Sequence, residues 1–86
     1  MEKTFKILNE EGMHARPAGA FVKVASGYKS AVTITGNGMT KNAKSIMGIM
    51  SLGLQKDSEI KITTTGEDEA ELMQSLETLI NNKFNL

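Results

Sequence analysis

No cysteine occurs anywhere in these 86 residues, so any fold must be held by burial and backbone hydrogen bonds, without disulfides or thiolate metal sites. A chain of this length hides only about 60 to 65% of its unfolded surface, enough for one modest core. A single domain over residues 1–86 is expected, and a deep enclosed reaction chamber is not. The missing thiols point to a reducing cytoplasm. Ten Lys and Arg balance ten Asp and Glu, so no global charge draws the chain onto nucleic acid or an anionic membrane, and partners must be recognised locally. Residues 1–6 lack the apolar stretch of a secretory leader, and no run approaches the roughly 20 apolar residues of a membrane span. No membrane insertion is expected.

Residues 4–8 alternate as a half-buried strand, with Phe5 and Ile7 on one face, until Asn9-Glu10-Glu11-Gly12 breaks the pattern. From Ala18 the apolar positions Ala18, Phe21, Val22 and Ala25 recur at helical spacing. Pro17 suits the first turn of that helix, and Gly27 stands where a left-handed C-terminal residue is wanted. Residues 31–35 and 39–43 flank Gly36-Asn37-Gly38, whose Asn-Gly pair predicts a tight antiparallel hairpin. Ser45 precedes a short apolar helix over 46–52 that Gly53 ends, and residues 60–64 alternate as a last strand. After Gly66, Glu67-Asp68-Glu69-Ala70-Glu71 opens a helix carrying Leu72, Met73, Leu76, Leu79 and Ile80, its acidic start suiting the positive end of the helix dipole. The order βαββαβα predicts an α+β open-faced sandwich, a four-stranded, mostly antiparallel sheet with three helices on one face.

The chemistry is concentrated in Gly12-Met13-His14-Ala15-Arg16-Pro17. A neutral imidazole is a nucleophile near neutral pH, and at a helix start it faces unpaired backbone N–H groups and a positive dipole end, which favour an anion. A phosphoryl group on His14 would receive those N–H bonds, and Arg16 could add a charge-assisted contact. Read residue by residue, spacing alone does not separate this from the plainer reading, in which His14 is a polar group of a helix-entry loop and Arg16 a solvated charge. A metal site is disfavoured because His14 is the one histidine and no thiol completes a ligand set. No cofactor is implied. A serine-based triad lacks an acidic orienter, and no phosphate-binding glycine loop of the Walker type is present.

The helix after Lys44 is apolar on two sides: Ile46, Met47 and Met50 share one arc, Ile49 and Leu52 another. One arc can face the sheet. The other is either an exposed patch, where methionine suits several partners, or part of a helix buried nearly all round. Ser45 is likewise either a plain cap or a cap that also accepts a phosphate, adding about −1.5 to −2 charge beside the patch.

Gly12-Met13-His14-Ala15-Arg16-Pro17-Ala18 together with Lys44-Ser45-Ile46-Met47-Gly48-Ile49-Met50-Ser51-Leu52-Gly53 resemble the two signatures of HPr, the histidine-containing phosphocarrier family of the bacterial phosphotransferase system. The resemblance runs nearly end to end and implies the same open-faced sandwich. It implies phosphorylation of His14 by enzyme I, charged by phosphoenolpyruvate, with Arg16 contacting the phosphate, and onward transfer to IIA domains of sugar permeases. Such a protein is a transfer intermediate and not a stand-alone catalyst. The second signature is similar to the Firmicute type, which implies phosphorylation of Ser45 by HPr kinase/phosphorylase, action as corepressor with catabolite control protein A, and a docking surface containing Ile46, Met47 and Met50. Two alternatives stay open: a binding module whose main output is Ser45-dependent regulation, and a nitrogen-branch phosphocarrier. The regulatory paralogue Crh lacks the histidine, so His14 argues against it. Glu11 and Gly19 depart from the Firmicute pattern, which often has serine at the first and threonine or alanine at the second.

Overall fold

The hairpin read from Gly36-Asn37-Gly38 forms as a two-residue loop: Asn37 and Gly38 take φ of 50° and 80°, the left-handed pair whose twist matches that of the flanking strands. The structure, a computed structural model, describes residues 1–85. Its strands are β1 (Glu2–Lys6), β2 (Ala31–Gly36), β3 (Met39–Asn42) and β4 (Glu59–Thr65); its helices are α1 (Ala15–Ala25), α2 (Ile46–Met50) and α3 (Glu69–Asn81). The four strands form one sheet in the order β1-β4-β2-β3, and every neighbouring pair is antiparallel.

β4 sits between β1 and β2 because it buries one face along its whole length. Ile60, Ile62 and Thr64 point inward and Lys61 and Thr63 outward, and the register sets Ile62 opposite Ile34 and Thr64 opposite Val32. The inward face carries the helices, and the buried side chains form one cluster that includes Phe21, Ile49, Leu72, Leu76 and Phe84. All five apolar positions read in the last helix are buried. The outward face stays open, with Thr35 and Thr40 hydroxyls bonded across the hairpin at 2.8 Å.

Several element ends differ from the sequence reading. β1 covers Glu2–Lys6 and not residues 4–8: the polar Glu2 and Lys3 pair with Thr63 and Ile62 through the backbone ladder, which side-chain alternation does not report. Ile7 still exchanges backbone bonds with Ser58 and Asp57, but Leu8 turns outward. α1 starts at Ala15, before the periodic residues, because Ala15 and Arg16 form an exposed first turn with no apolar signature. Gly27 is not left-handed; α1 ends through Ser26 in the right-handed region, its N–H bonded to the Val22 carbonyl at 2.8 Å. α2 stops at Met50 and β3 at Asn42. A Cβ at Gly19 would meet nothing within 4 Å.

Asp68, at the head of α3, ties that end to the loop between α1 and β2. Its carboxylate accepts the backbone N–H groups of Lys29 and Ser30, each at 2.9 Å, and the Ser30 hydroxyl. Those bonds, the Ser30 hydroxyl first, hold its carboxyl down at about 2.

Candidate functional site

His14 is the N-cap of α1, with extended backbone at φ −81°, and its carbonyl accepts the first helical bond, from Ala18 N–H at 3.0 Å. The N–H groups of Ala15 and Arg16 have no intrahelical acceptor, and Pro17 has none to offer. No described side chain caps this end. The imidazole is exposed at the rim of the fold. A ring nitrogen carrying an anion would therefore find free backbone donors and the positive dipole end beside it.

The loop that delivers His14 is built from both sides. Gly12 has φ +66°, and a Cβ there would lie 2.6 Å from the Leu54 carbonyl oxygen and 2.8 Å from Gln55 Cα, so only glycine fits the approach. The next N–H, of Met13, donates to that Leu54 carbonyl at 3.0 Å, and the Met13 side chain is buried. The chain leaving α2 is thus the floor of the His14 loop. Asn9, almost wholly buried, donates to the Gly12 carbonyl at 2.7 Å and to Glu11 Oε1 at 2.9 Å. Asn9 Oδ1 is the buried side-chain oxygen left without a partner among the described residues.

Arg16 is already engaged. Its Nε and Nη2 donate to Glu11 Oε2 at 3.2 and 2.8 Å, and Nη1 donates to the Phe84 carbonyl at 3.0 Å. The Asn9 amide first, then Arg16, hold the Glu11 carboxyl down at about 2, so it is ionised throughout the neutral range. Phe84 is positioned by the end of α3: its N–H bonds to Leu79 and that of Lys83 to Ile80, the paired closure of a helix C-terminus. Lys83 and Phe84 take φ of 55° and 63°, and the Phe84 ring is 1% exposed. Neither Glu11's hold on Arg16 nor Phe84's part in it was read from the sequence. The turn signal at Asn9-Glu10-Glu11-Gly12 marked the loop, and a carboxylate and an arginine flanking His14 were the available hint.

The second segment lies beside the first through the packing of α2 on α1. Ser45 caps α2, its hydroxyl accepting Gly48 N–H at 3.0 Å. The two-sided pattern resolves into a buried side, Ile49 and Leu52, and an outer side where Ile46 is 41% and Met47 76% exposed, with Met50 half-buried between. Lys44 anchors the helix start by donating Nζ to the Tyr28 carbonyl at 2.9 Å. No group of three or more His, Cys, Asp or Glu able to hold a metal occurs among the described residues. No helix there is long and apolar enough to cross a membrane.

Fold and site define a class: a small α+β open-faced sandwich that displays a lone histidine at a helix head, in an open loop. The family model described as the PTS HPr component phosphorylation site matches residues 1–82. The phosphocarrier protein HPr of Neisseria meningitidis is 43% identical over 84 residues, 98% of this chain and 94% of that protein. Among solved structures, HPr-C-His from Thermoanaerobacter tengcongensis superposes with a TM-score of 0.94 at 44% identity, over 98% of this chain and 94% of that one. The phosphocarrier HPr of Bacillus anthracis gives 0.88 at 40% identity, over 93% and 95%. The chain belongs to the HPr family, the phosphocarriers of the phosphotransferase system.

Proposed function

We propose that the chain accepts a phosphoryl group on His14 from enzyme I and passes it to IIA domains of sugar permeases, as a cytoplasmic transfer intermediate with no catalytic turnover of its own. The observation that carries this reading is the place of His14: an exposed N-cap imidazole beside first-turn N–H groups that have no intrahelical acceptor. A ring-nitrogen lone pair forms the new N–P bond, and the bond to the donor breaks with its electron pair staying on the donor atom. The other ring nitrogen keeps its proton, so the step needs no separate base. Arg16 contacts the phosphate oxygens once they arrive. The open site supports transfer between proteins, because a second active site can reach the ring directly.

Incubation with phosphoenolpyruvate, magnesium and an active enzyme I, followed by intact-mass measurement, is expected to add one acid-labile phosphoryl group. His14→Ala should abolish it; undiminished label in that variant removes the assignment.

A regulatory role for Ser45 rests on its place at the head of α2, next to the exposed Ile46 and Met47. In this reading Ile46, Met47 and Met50 form the docking surface, HPr kinase/phosphorylase modifies Ser45, and the modified form engages catabolite control protein A. Ser45→Asp sets negative charge beside that surface and is expected to slow acceptance from enzyme I about tenfold or more. Stopped-time labelling measures it, and an unchanged rate separates Ser45 from carrier docking.

A further inference from the structure

We propose that Glu11 is a positioning residue that competes with the phosphoryl group for Arg16 and so weakens the grip on phosphorylated His14, keeping it ready to be given away. This rests on His14 being the acceptor.

Glu11 occupies the donors that a phosphate would use. A guanidinium has five N–H bonds in a fixed fork. Here the Nε and one Nη2 donor go to Glu11 Oε2 and one Nη1 donor to the Phe84 carbonyl. Only one N–H on each terminal nitrogen is left, so the edge formed by Nε and Nη2, which grips oxyanions in two-bonded fashion, is taken. A dianionic phosphoryl group on His14 must pull Arg16 from Glu11 or accept fewer bonds. It also meets the Glu11 charge itself, since that carboxyl stays ionised.

Glu11 cannot swing clear at no cost. Its other oxygen is held by Asn9, whose side chain is buried and also bonds the Gly12 carbonyl. Gly12 in turn is wedged against the Leu54–Gln55 backbone. The carboxylate is therefore held through both of its oxygens, three residues before His14. A carrier gains from such an arrangement. Full engagement of Arg16 would make the phosphorylated form a thermodynamic sink, whereas a built-in competitor leaves acceptance possible and donation easy.

The test compares wild type, Glu11→Gln, Arg16→Ala and the double variant, each charged to equilibrium with phosphoenolpyruvate, pyruvate and enzyme I. Glutamine keeps an oxygen for Asn9 but loses the charge. The expected result is an equilibrium moved about three- to tenfold toward the phosphorylated form in Glu11→Gln, with slower hydrolysis and a shifted 31P resonance of phospho-His14. In the Arg16→Ala background the same change should have less than half that effect. Glu11→Ser repeats the measurement should glutamine disturb the loop. A shift away from the phosphorylated form would mean that Glu11 holds Arg16 in its productive pose, and an effect undiminished by Arg16→Ala would mean that it does not act through Arg16; either overturns the proposal. If wild type takes no label on His14, the acceptor reading itself has failed.

Discussion

Gly12→Ala is expected to destabilise the domain by about 3 kcal/mol or more and to slow phosphoryl acceptance by roughly 100-fold. Two effects add. An L-residue held at φ +66° costs about 1 to 2 kcal/mol. The new methyl would stand 2.6 Å from the Leu54 carbonyl oxygen and 2.8 Å from Gln55 Cα, both backbone, so the loop must move and the Met13 N–H to Leu54 bond is strained or lost. Breaking a buried backbone bond costs about 1 to 3 kcal/mol. His14 lies two residues on, and a displacement of about 1 Å in a reacting group is enough for a hundredfold loss. Urea unfolding and timed labelling measure the two effects. Gly38→Ala is the control: its φ is +80° but a Cβ there would meet nothing within 4 Å, so only the conformational cost of about 1 kcal/mol is expected. Equal losses in both variants would mean that backbone strain, and not the close approach to Leu54, is what Gly12 answers.

Phe84→Ala is expected to cost about 3 to 5 kcal/mol in urea unfolding, the usual range for a large aromatic removed from a core. Against a total of roughly 0.05 to 0.15 kcal/mol per residue, that is a large share of what holds the chain folded. The ring is 1% exposed and lies in a turn where two consecutive non-glycine residues take positive φ at the end of α3. Without it the turn frays, and the Phe84 carbonyl no longer restrains Arg16. Lys83→Gly should act in the opposite direction, adding about 0.5 to 1 kcal/mol, because glycine suits the left-handed position after a helix. A loss under about 1 kcal/mol in Phe84→Ala would show that the C-terminal turn is not part of the core.

These two positions show why some of the molecule was legible in the sequence and some was not. Repeating apolar side chains report burial, so the face of α3 and the two sides of α2 could be read. The Asn37-Gly38 turn was legible because its backbone demands those residues. His14 at a helix head followed from Pro17 and the periodicity beyond it, although α1 starts earlier than the periodicity does. Phe84 escaped because one aromatic beyond a helix end has no period. Glu11 escaped because an ion pair depends on where a loop folds back, and its partner Asn9 looked only like a turn residue. The ends of β1 escaped because an edge strand pairs through its backbone, whatever its side chains.

The central place of β4 also bears on how the molecule is made. β1 has no strand neighbour until β4 exists, since Glu2 pairs with Thr63 and the backbone of Met1 with Thr64. Met1 N donates to the Thr64 carbonyl at 2.9 Å and faces Glu69 at 3.2 Å. The β2–β3 hairpin can close locally, but β1 joins the sheet only through β4. Joining β1 to β4 brings together residues 63 positions apart, Met1 and Thr64, and such long-range closure is slow relative to helix formation.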